Sequence, residues 1–122
     1  MLDQPQQVQA EDELPLIDYR VMNDWSGDLS RADVLDLLSR VPGESHKCLT
    51  GIKEAVGRGD LAAAKRTAHR LKGMASNLGA VRLARIARSI ELASVDIADV
   101  STRSVQLEET LNATLEALQP RS

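Results

Sequence analysis

The stretch AHRLKGMASNLGA, Ala68 to Ala80, decides the fold, because it joins the second half of a helix to the signal that ends it. Gly79 can adopt the left-handed conformation that terminates many helices. A new apolar-periodic stretch begins almost at once, at Val81. Because so short a connection makes consecutive helices antiparallel neighbours, the stretch predicts a helical hairpin that runs from Asp60, a suitable cap, to about Ser94.

The residues before the hairpin predict further helices. A short helix is expected from Leu16 to Trp25, where Ser26-Gly27-Asp28 interrupts it. Ser30 can cap the next helix. Pro42 and Gly43 break its apolar pattern, so we expect either one long helix kinked at Pro42 or two helices in tandem. Gly57-Arg58-Gly59 closes this region.

The residues after the hairpin predict one last helix, which either Asp96 or Asp99 can cap and Pro120 stops. Its leucines repeat at spacings of four, four and three: Leu107, Leu111, Leu115 and Leu118. No segment alternates with the period of a strand. The sequence therefore predicts an all-α fold, an antiparallel four-helix bundle with a short extra N-terminal helix.

Composition divides the chain into two parts. Residues 1–14, MLDQPQQVQAEDEL, are rich in glutamine and acid and have little apolar content, so we expect a disordered or linker segment. Residues 15–119 form the predicted domain. Hydrophobic residues make up 43% of the chain but aromatic residues only 2%, so the core must be aliphatic, which suits close-packed helices.

Several functional classes are excluded. The only cysteine, Cys48, cannot form an internal disulfide and lacks partners for a structural metal site, so we expect an ordinary packed or half-buried thiol. No apolar run approaches the roughly 20 residues of a membrane span. Neither a phosphate-binding loop nor a kinase glycine loop is present. We therefore predict no bound metal, no cofactor of its own, no direct membrane contact and no autophosphorylation from ATP.

Charge is distributed unevenly along the chain. Residues 1–18 carry five acids and no base, whereas residues 58–88 carry eight bases against the single acid Asp60. Such a basic region attracts nucleic acid or an acidic protein surface. Because the chain is acidic overall, with a net charge of −3, and has almost no aromatic residues, we favour the protein surface and predict no nucleic-acid binding.

His69 lies on the charged side of its helix. At 100° per residue, Leu71 and Leu78 fall on the core side and His69 falls opposite. Around it fall cations and very small residues, among them Lys65, Arg66, Lys72, Gly73 and Ser76. An incidental surface histidine is one interpretation. The other is a group that another protein must reach, because the cations attract a phosphoryl group and the small residues leave room.

The stretch from Gly59 to Glu91 resembles the histidine-containing phosphotransfer (HPt) domain. The shared pattern is A-H-x-L-K-G, then small residues, then L-G-A and a second helix with a Leu and a Glu or Gln. The matching residues are Ala68, His69, Leu71, Lys72, Gly73, Ser76, Leu78, Gly79, Ala80, Leu83 and Glu91. The predicted helix order extends the resemblance to nearly the whole chain from Leu16.

The resemblance implies specific roles. His69 would be phosphorylated on its distal ring nitrogen by a receiver-domain aspartate and would pass the group to another receiver. Lys72 would steady the phosphoryl oxygens and Gly73 would admit the partner. Glu91 would accept the proximal ring N–H, unless it only pairs with Arg88 one turn back. Receiver docking is assigned to Lys65, Arg66, Arg70, Ser76, Asn77 and Arg88. The receiver would supply Mg²⁺ and the acceptor carboxylate.

Other questions stay open in the sequence. The chain could instead be the phosphoacceptor domain of a chemotaxis-type histidine kinase, or a helical adaptor in which His69 is incidental. Pro42-Gly43 interrupts the family's long second helix, so the shape of the docking surface there is uncertain. We expect the isolated domain to be monomeric and cytoplasmic. The linker-like start favours a fragment of a hybrid sensor kinase over a free-standing protein. Such a kinase could hold the domain at the membrane.

Overall fold

The computed structural model describes residues 14–27 and 29–119, and this part of the chain is helical without a strand. Its five helices are α1 (Tyr19–Ser26), α2 (Arg31–Arg58), α3 (Leu61–Leu78), α4 (Val81–Ala93) and α5 (Ile97–Leu118). The all-α prediction is confirmed. The linker predicted for residues 1–14 lies outside the described residues, except for Leu14. Pro120, the predicted stop of the last helix, also lies outside them.

Side-chain caps fix the starts of three helices. The Ser30 hydroxyl accepts the backbone N–H of Asp33 at 3.1 Å, and Asp60 accepts that of Ala63 at 3.0 Å. Of the two candidates for the last helix, Asp96 is the cap, and its carboxylate accepts the N–H of Asp99 at 2.8 Å. Each cap satisfies a backbone donor that the first helical turn leaves without a partner.

The second helix continues through Pro42 from Arg31 to Arg58, so it is one helix and not two in tandem. Proline lacks the N–H that would bond one turn back. Two side chains contact backbone carbonyls in the turn that follows it. The Ser45 hydroxyl donates to the Val41 carbonyl at 2.6 Å, and Nδ1 of exposed His46 lies 2.8 Å from the Pro42 carbonyl oxygen. Both contacts lie beside Pro42, within the continuous helix.

The first helix begins three residues later than predicted, at Tyr19 and not at Leu16. The preceding residues are held elsewhere: Ile17 is buried, and the backbone N–H of Asp18 donates to the Gly79 carbonyl at 2.6 Å. The Asp18 carboxylate accepts the N–H of Arg20 at 3.1 Å. The segment is therefore used to cover the α3–α4 turn, which local helix propensity does not reveal.

The four longer helices contact one another in a closed ring. α2 packs against α3 and α5, and α4 packs against the same two helices, whereas α1 lies outside the ring on α2 and α3. This is the neighbour pattern of a four-helix bundle; the mutual direction of all four helices stays a prediction. The core is aliphatic, with fully buried residues on every helix of the ring, including Ile52, Leu71, Leu83, Ile90, Leu107 and Leu111.

α2 is longer than α3, and its first turns are more exposed than the rest of the helix. α2 has 28 residues and α3 has 18, and a surplus of ten residues extends about 15 Å. Leu35 and Leu37, part of the apolar pattern, are accordingly exposed, and burial on α2 begins at Val41. None of the described helices combines the length and the hydrophobicity that crossing a membrane requires.

Gly79 is required at the α3–α4 turn for two reasons. Its φ is +75°, and a Cβ there would lie 2.3 Å from the Asp18 carbonyl oxygen. We expect Gly79→Ala to lower the free energy of unfolding by about 2 kcal/mol or more, because a left-handed alanine alone costs about 1–2 kcal/mol. Gly59→Ala is the matched control, since Gly59 has φ +70° with open space around it. Equal losses in urea titrations of the two variants would contradict a role for the Asp18 contact.

Candidate functional site

His69 lies midway along α3 and points away from the core. Its neighbours Ala68 and Leu71 are completely buried, whereas 60% of the His69 side chain is exposed. The helix is held rigid by its buried face, so the imidazole is presented from a fixed backbone. An exposed nitrogen base on a rigid element is the arrangement that a reaction with another macromolecule needs.

Glu91 on α4 orients the imidazole. His69 Nδ1 lies 2.7 Å from Glu91 Oε2, although the two residues are 22 positions apart in the chain. Because a carboxylate oxygen can only accept, the neutral imidazole donates its proton from Nδ1 and keeps its lone pair on Nε2. The outer ring nitrogen is therefore the nucleophilic one.

Lys72 completes a three-residue cluster. Lys72 Nζ lies 3.2 Å from Glu91 Oε1, and only 28% of the lysine side chain is exposed. Oε1 accepts no hydrogen bond of good geometry, but at this distance the ammonium still neutralises the carboxylate. Glu91 thus pairs with Lys72 and His69, and not with Arg88. Lys72 is also less exposed than its position on the charged side of the helix predicts.

The cluster determines the protonation of Glu91. Burial raises the pKa of the Glu91 carboxyl, but the nearby Lys72 ammonium and the contact with His69 lower it by more, so that the pKa lies below its ordinary value. Glu91 is consequently ionised at neutral pH and available as an acceptor for the ring N–H. A carboxylate behind a histidine fixes the tautomer and increases the basicity of the opposite nitrogen.

The surface beside the cluster is open. Gly73 lies one turn after His69 and is exposed, and a Cβ built on it would meet no atom within 4 Å. Gly73 therefore serves no packing contact within the described chain. A mid-helix glycine costs about 1 kcal/mol against alanine, and packing within the described chain does not explain why it is present.

The basic residues fall into two groups around His69. Lys65, Arg66 and Arg70 line a shallow depression together with His69 and Glu91. Ser76 and Arg88 line a neighbouring groove between α3 and α4, which also contains Lys72. Asn77 instead faces the groove between α2 and α3, with Leu37 and Met74. The structure therefore brings every predicted docking residue near the site except Asn77.

Leu92 belongs to this surface and was not among the predicted residues. Its side chain is 61% exposed, and it lines both the depression at His69 and the groove at Lys72. The signal was available in the sequence, because the buried residues of α4 follow helical spacing through Leu83, Ile86, Ala87 and Ile90 and Leu92 falls outside that stripe. An exposed leucine next to the reactive nitrogen can contribute apolar contact to a partner.

Cys48 lies outside the site. It is buried as predicted, and burial raises the pKa of its thiol, so it is a structural residue. In the described residues no group of histidine, cysteine, aspartate and glutamate side chains has the arrangement of a metal site.

Comparison with known proteins places this geometry in a family. The family model described as Hpt domain matches residues 36–120, well over half of the chain. The match includes most of α2 and all of α3, α4 and α5, and so contains His69, Lys72 and Glu91. No curated protein and no solved structure matches the chain.

The lowered pKa of Glu91 predicts a pH-dependent contribution to stability. A carboxyl whose pKa is lower in the folded chain stabilises the fold fully above its ordinary pKa of 4.5 and loses this effect as the pH falls through the folded value. We expect Glu91→Gln to melt below the parent at pH 7, and we expect the difference in melting temperature to narrow as the pH falls below 4.5. Glu109→Gln, an exposed change on α5, is the control. Equal melting shifts of the two variants at pH 7 would contradict the prediction.

Proposed function

The chain belongs to the Hpt domain family, and on that premise we propose that His69 carries a phosphoryl group between the receiver domains of a phosphorelay. The family has a phosphotransfer-carrying role in two-component signalling, generally without kinase activity of its own. The observation that carries the proposal is the 2.7 Å contact of His69 Nδ1 with Glu91, which leaves Nε2 exposed as the nucleophile.

The transfer step needs few groups on this chain. The Nε2 lone pair attacks the phosphorus of a receiver aspartyl phosphate, the N–P bond forms, and the P–O bond to the aspartate breaks and releases its carboxylate. The ring becomes a cation with its proton still on Nδ1, and the Glu91 carboxylate stabilises that charge at 2.7 Å. Transfer to a second receiver is the reverse of the same step.

Lys72 has the position to steady the transferred group. It lies one helical turn from His69, and its ammonium is paired with the carboxylate that also orients the imidazole. Once Nε2 carries a phosphoryl group, the lysine has two anionic partners within its reach. Phosphoryl transfer is mostly positioning and charge neutralisation, and the Mg²⁺ and the acceptor carboxylate belong to the receiver in this proposal.

The partner is identified by its charge. Receiver active sites are acidic in this proposal, and the depression at His69 is lined by Lys65, Arg66 and Arg70. Opposite charges raise the rate of encounter. Because receivers act in the cytoplasm, the domain would work there too, as a monomer that meets one receiver at a time.

One observation keeps a second function in view. The residue behind the imidazole is a carboxylate paired with a lysine, which also suits the phosphoacceptor domain of a chemotaxis-type kinase. The two functions differ in the donor. Incubation with a phosphorylated receiver and, separately, with ATP and an ATP-binding kinase domain distinguishes them: labelling by the receiver supports the relay, and labelling by the kinase domain alone overturns it.

We expect His69 to be the only phosphorylated residue. Labelling of the parent by a phosphorylated receiver should be stable to base and labile to acid, as a phosphoramidate is, and His69→Gln should abolish it. His46→Gln is the matched control and should keep full labelling, because His46 lies on α2 and its Nδ1 contacts the Pro42 carbonyl of the same helix. Label that survives in His69→Gln would refute the assignment.

Gly73→Leu should separate stability from function. Leucine is a better helix former than glycine by roughly 0.8 kcal/mol, and the space at Gly73 is open, so the variant should melt no lower than the parent. It should nevertheless transfer slowly, because the new side chain stands where the receiver approaches. Gly57→Leu, at an open helical position of α2, should gain stability and transfer normally. Parent-like transfer by Gly73→Leu would show that partners do not pass over this turn.

A further inference from the structure

We propose that Arg85 and Leu92 select the receivers that dock at His69, by binding a receiver surface that carries carboxylates beside an exposed apolar side chain. Both residues line the groove between α3 and α4 (the α3–α4 groove), whose lining also includes Lys72, Ser76, Val81 and Arg88. Neither residue is among those that the resemblance to the family assigns to docking. The inference rests on the proposed function, because it concerns the partners of the same histidine.

Four side chains form a stripe along the α4 side of the groove. The stripe consists of residues at spacings of four, three and four: Val81, Arg85, Arg88 and Leu92. Such spacings put them on one face of the helix, and all four line the α3–α4 groove. The two ends of the stripe are about 16 Å apart at the rise of an α-helix. The stripe therefore presents two cations between two apolar side chains.

The two arginines of the stripe carry charges that the described chain does not neutralise. Arg85 and Arg88 are exposed and form no ion pair with any residue that the structure describes. Together α3 and α4 contain seven bases and one acid, Glu91, and that carboxylate is already paired with Lys72 and His69. The groove therefore attracts a surface that brings its own carboxylates.

Leu92 adds an apolar contact and connects the groove to the reactive nitrogen. Its side chain is 61% exposed, and it lines both the α3–α4 groove and the depression that contains His69. A partner that covers His69 closely enough for transfer therefore reaches Leu92 as well. Burial of this leucine favours a partner with an apolar side chain opposite it. A nucleic-acid backbone offers no such side chain, so these observations favour a protein.

Arg85 acts on docking and not on the transferred group. Lys72 is the cation next to Glu91, whereas Arg85 precedes Glu91 by six residues, about 9 Å along α4. The charge of Arg85 therefore changes the rate at which the receiver is captured. The transfer step itself is left to His69, Lys72 and Glu91.

Charge reversal at Arg85 tests the electrostatic part. With a phosphorylated receiver that labels the parent, we expect Arg85→Glu to lower the second-order rate constant for labelling about tenfold at low salt, because surface charge changes encounter rates by tenfold or more. The first-order rate at saturating receiver should stay at the parent value. Arg31→Glu is the matched control, since Arg31 is an exposed arginine at the start of α2 without an ion pair to a described residue.

The size of the effect should follow the charge at position 85. Arg85→Gln should fall between Arg85→Lys and Arg85→Glu, and all three should melt with the parent, because exposed substitutions usually change the free energy of unfolding little. The difference from Arg31→Glu should disappear in about 1 M salt, where the Debye length is about 3 Å. Equal second-order rate constants for Arg85→Glu and Arg31→Glu at low salt would overturn the role of Arg85. A lower first-order rate at saturation in Arg85→Glu would contradict it too.

Leu92→Ala tests the apolar part. We expect it to raise the receiver concentration that gives half-maximal labelling about tenfold, at low and at high salt alike, because a buried leucine contact is worth about that much and is not screened. Val105→Ala is the matched control, since the Val105 side chain on α5 is 62% exposed. Parent-like half-saturation in Leu92→Ala would overturn the role of Leu92.

The outcomes separate this inference from the proposed function. A parent that is labelled, with unchanged constants in Arg85→Glu and Leu92→Ala, leaves the phosphotransfer function standing and overturns the inference alone. A parent that no phosphorylated receiver labels refutes the proposed function, and the inference fails with it.

Discussion

The two-residue connection between α3 and α4 is the constraint on which the rest of the structure depends. Gly79 takes the left-handed conformation that ends α3, and α4 begins at Val81. This turn alone folds Glu91 back beside His69, so that residues 22 positions apart share a 2.7 Å contact. The same turn receives the hydrogen bond from Asp18, which fixes where the N-terminal segment enters. The geometry of the site and the position of the residues that precede α1 thus depend on one backbone feature.

Alanine makes the close approach of the helices possible. Ala64, Ala68 and Ala75 on α3 are completely buried, as is Ala87 on α4, and such small side chains let two helix backbones lie close together. Because the two helices lie close together, side chains on their outer surfaces can reach one another. His69 and Lys72 on α3 contact Glu91 on α4 in this way. Packing therefore sets the positions of the reactive atoms without contributing any polar group from the core.

Much of the fold could be predicted from residues whose effect is local. Ser30, Asp60 and Gly79 act on the backbone within one turn, and the structure confirms each of them. The start of α1 could not be predicted, because Ile17 and Asp18 are held by a distant turn. The sequence also left open whether α2 passes through Pro42, because a proline inside an apolar pattern is compatible with either a kinked or a broken helix. At the site, the pairing of Lys72 with Glu91 depends on distances between helices, which the spacing in the sequence does not contain.

The aliphatic core has an optical consequence. The only two aromatic side chains able to fluoresce strongly, Tyr19 and Trp25, both belong to α1, which lies outside the ring of four helices. Intrinsic fluorescence consequently monitors the short first helix, whereas far-ultraviolet circular dichroism monitors the bundle. Agreement between two probes is the usual test of all-or-none unfolding. In this protein the comparison measures something more specific, namely whether α1 detaches before the bundle melts.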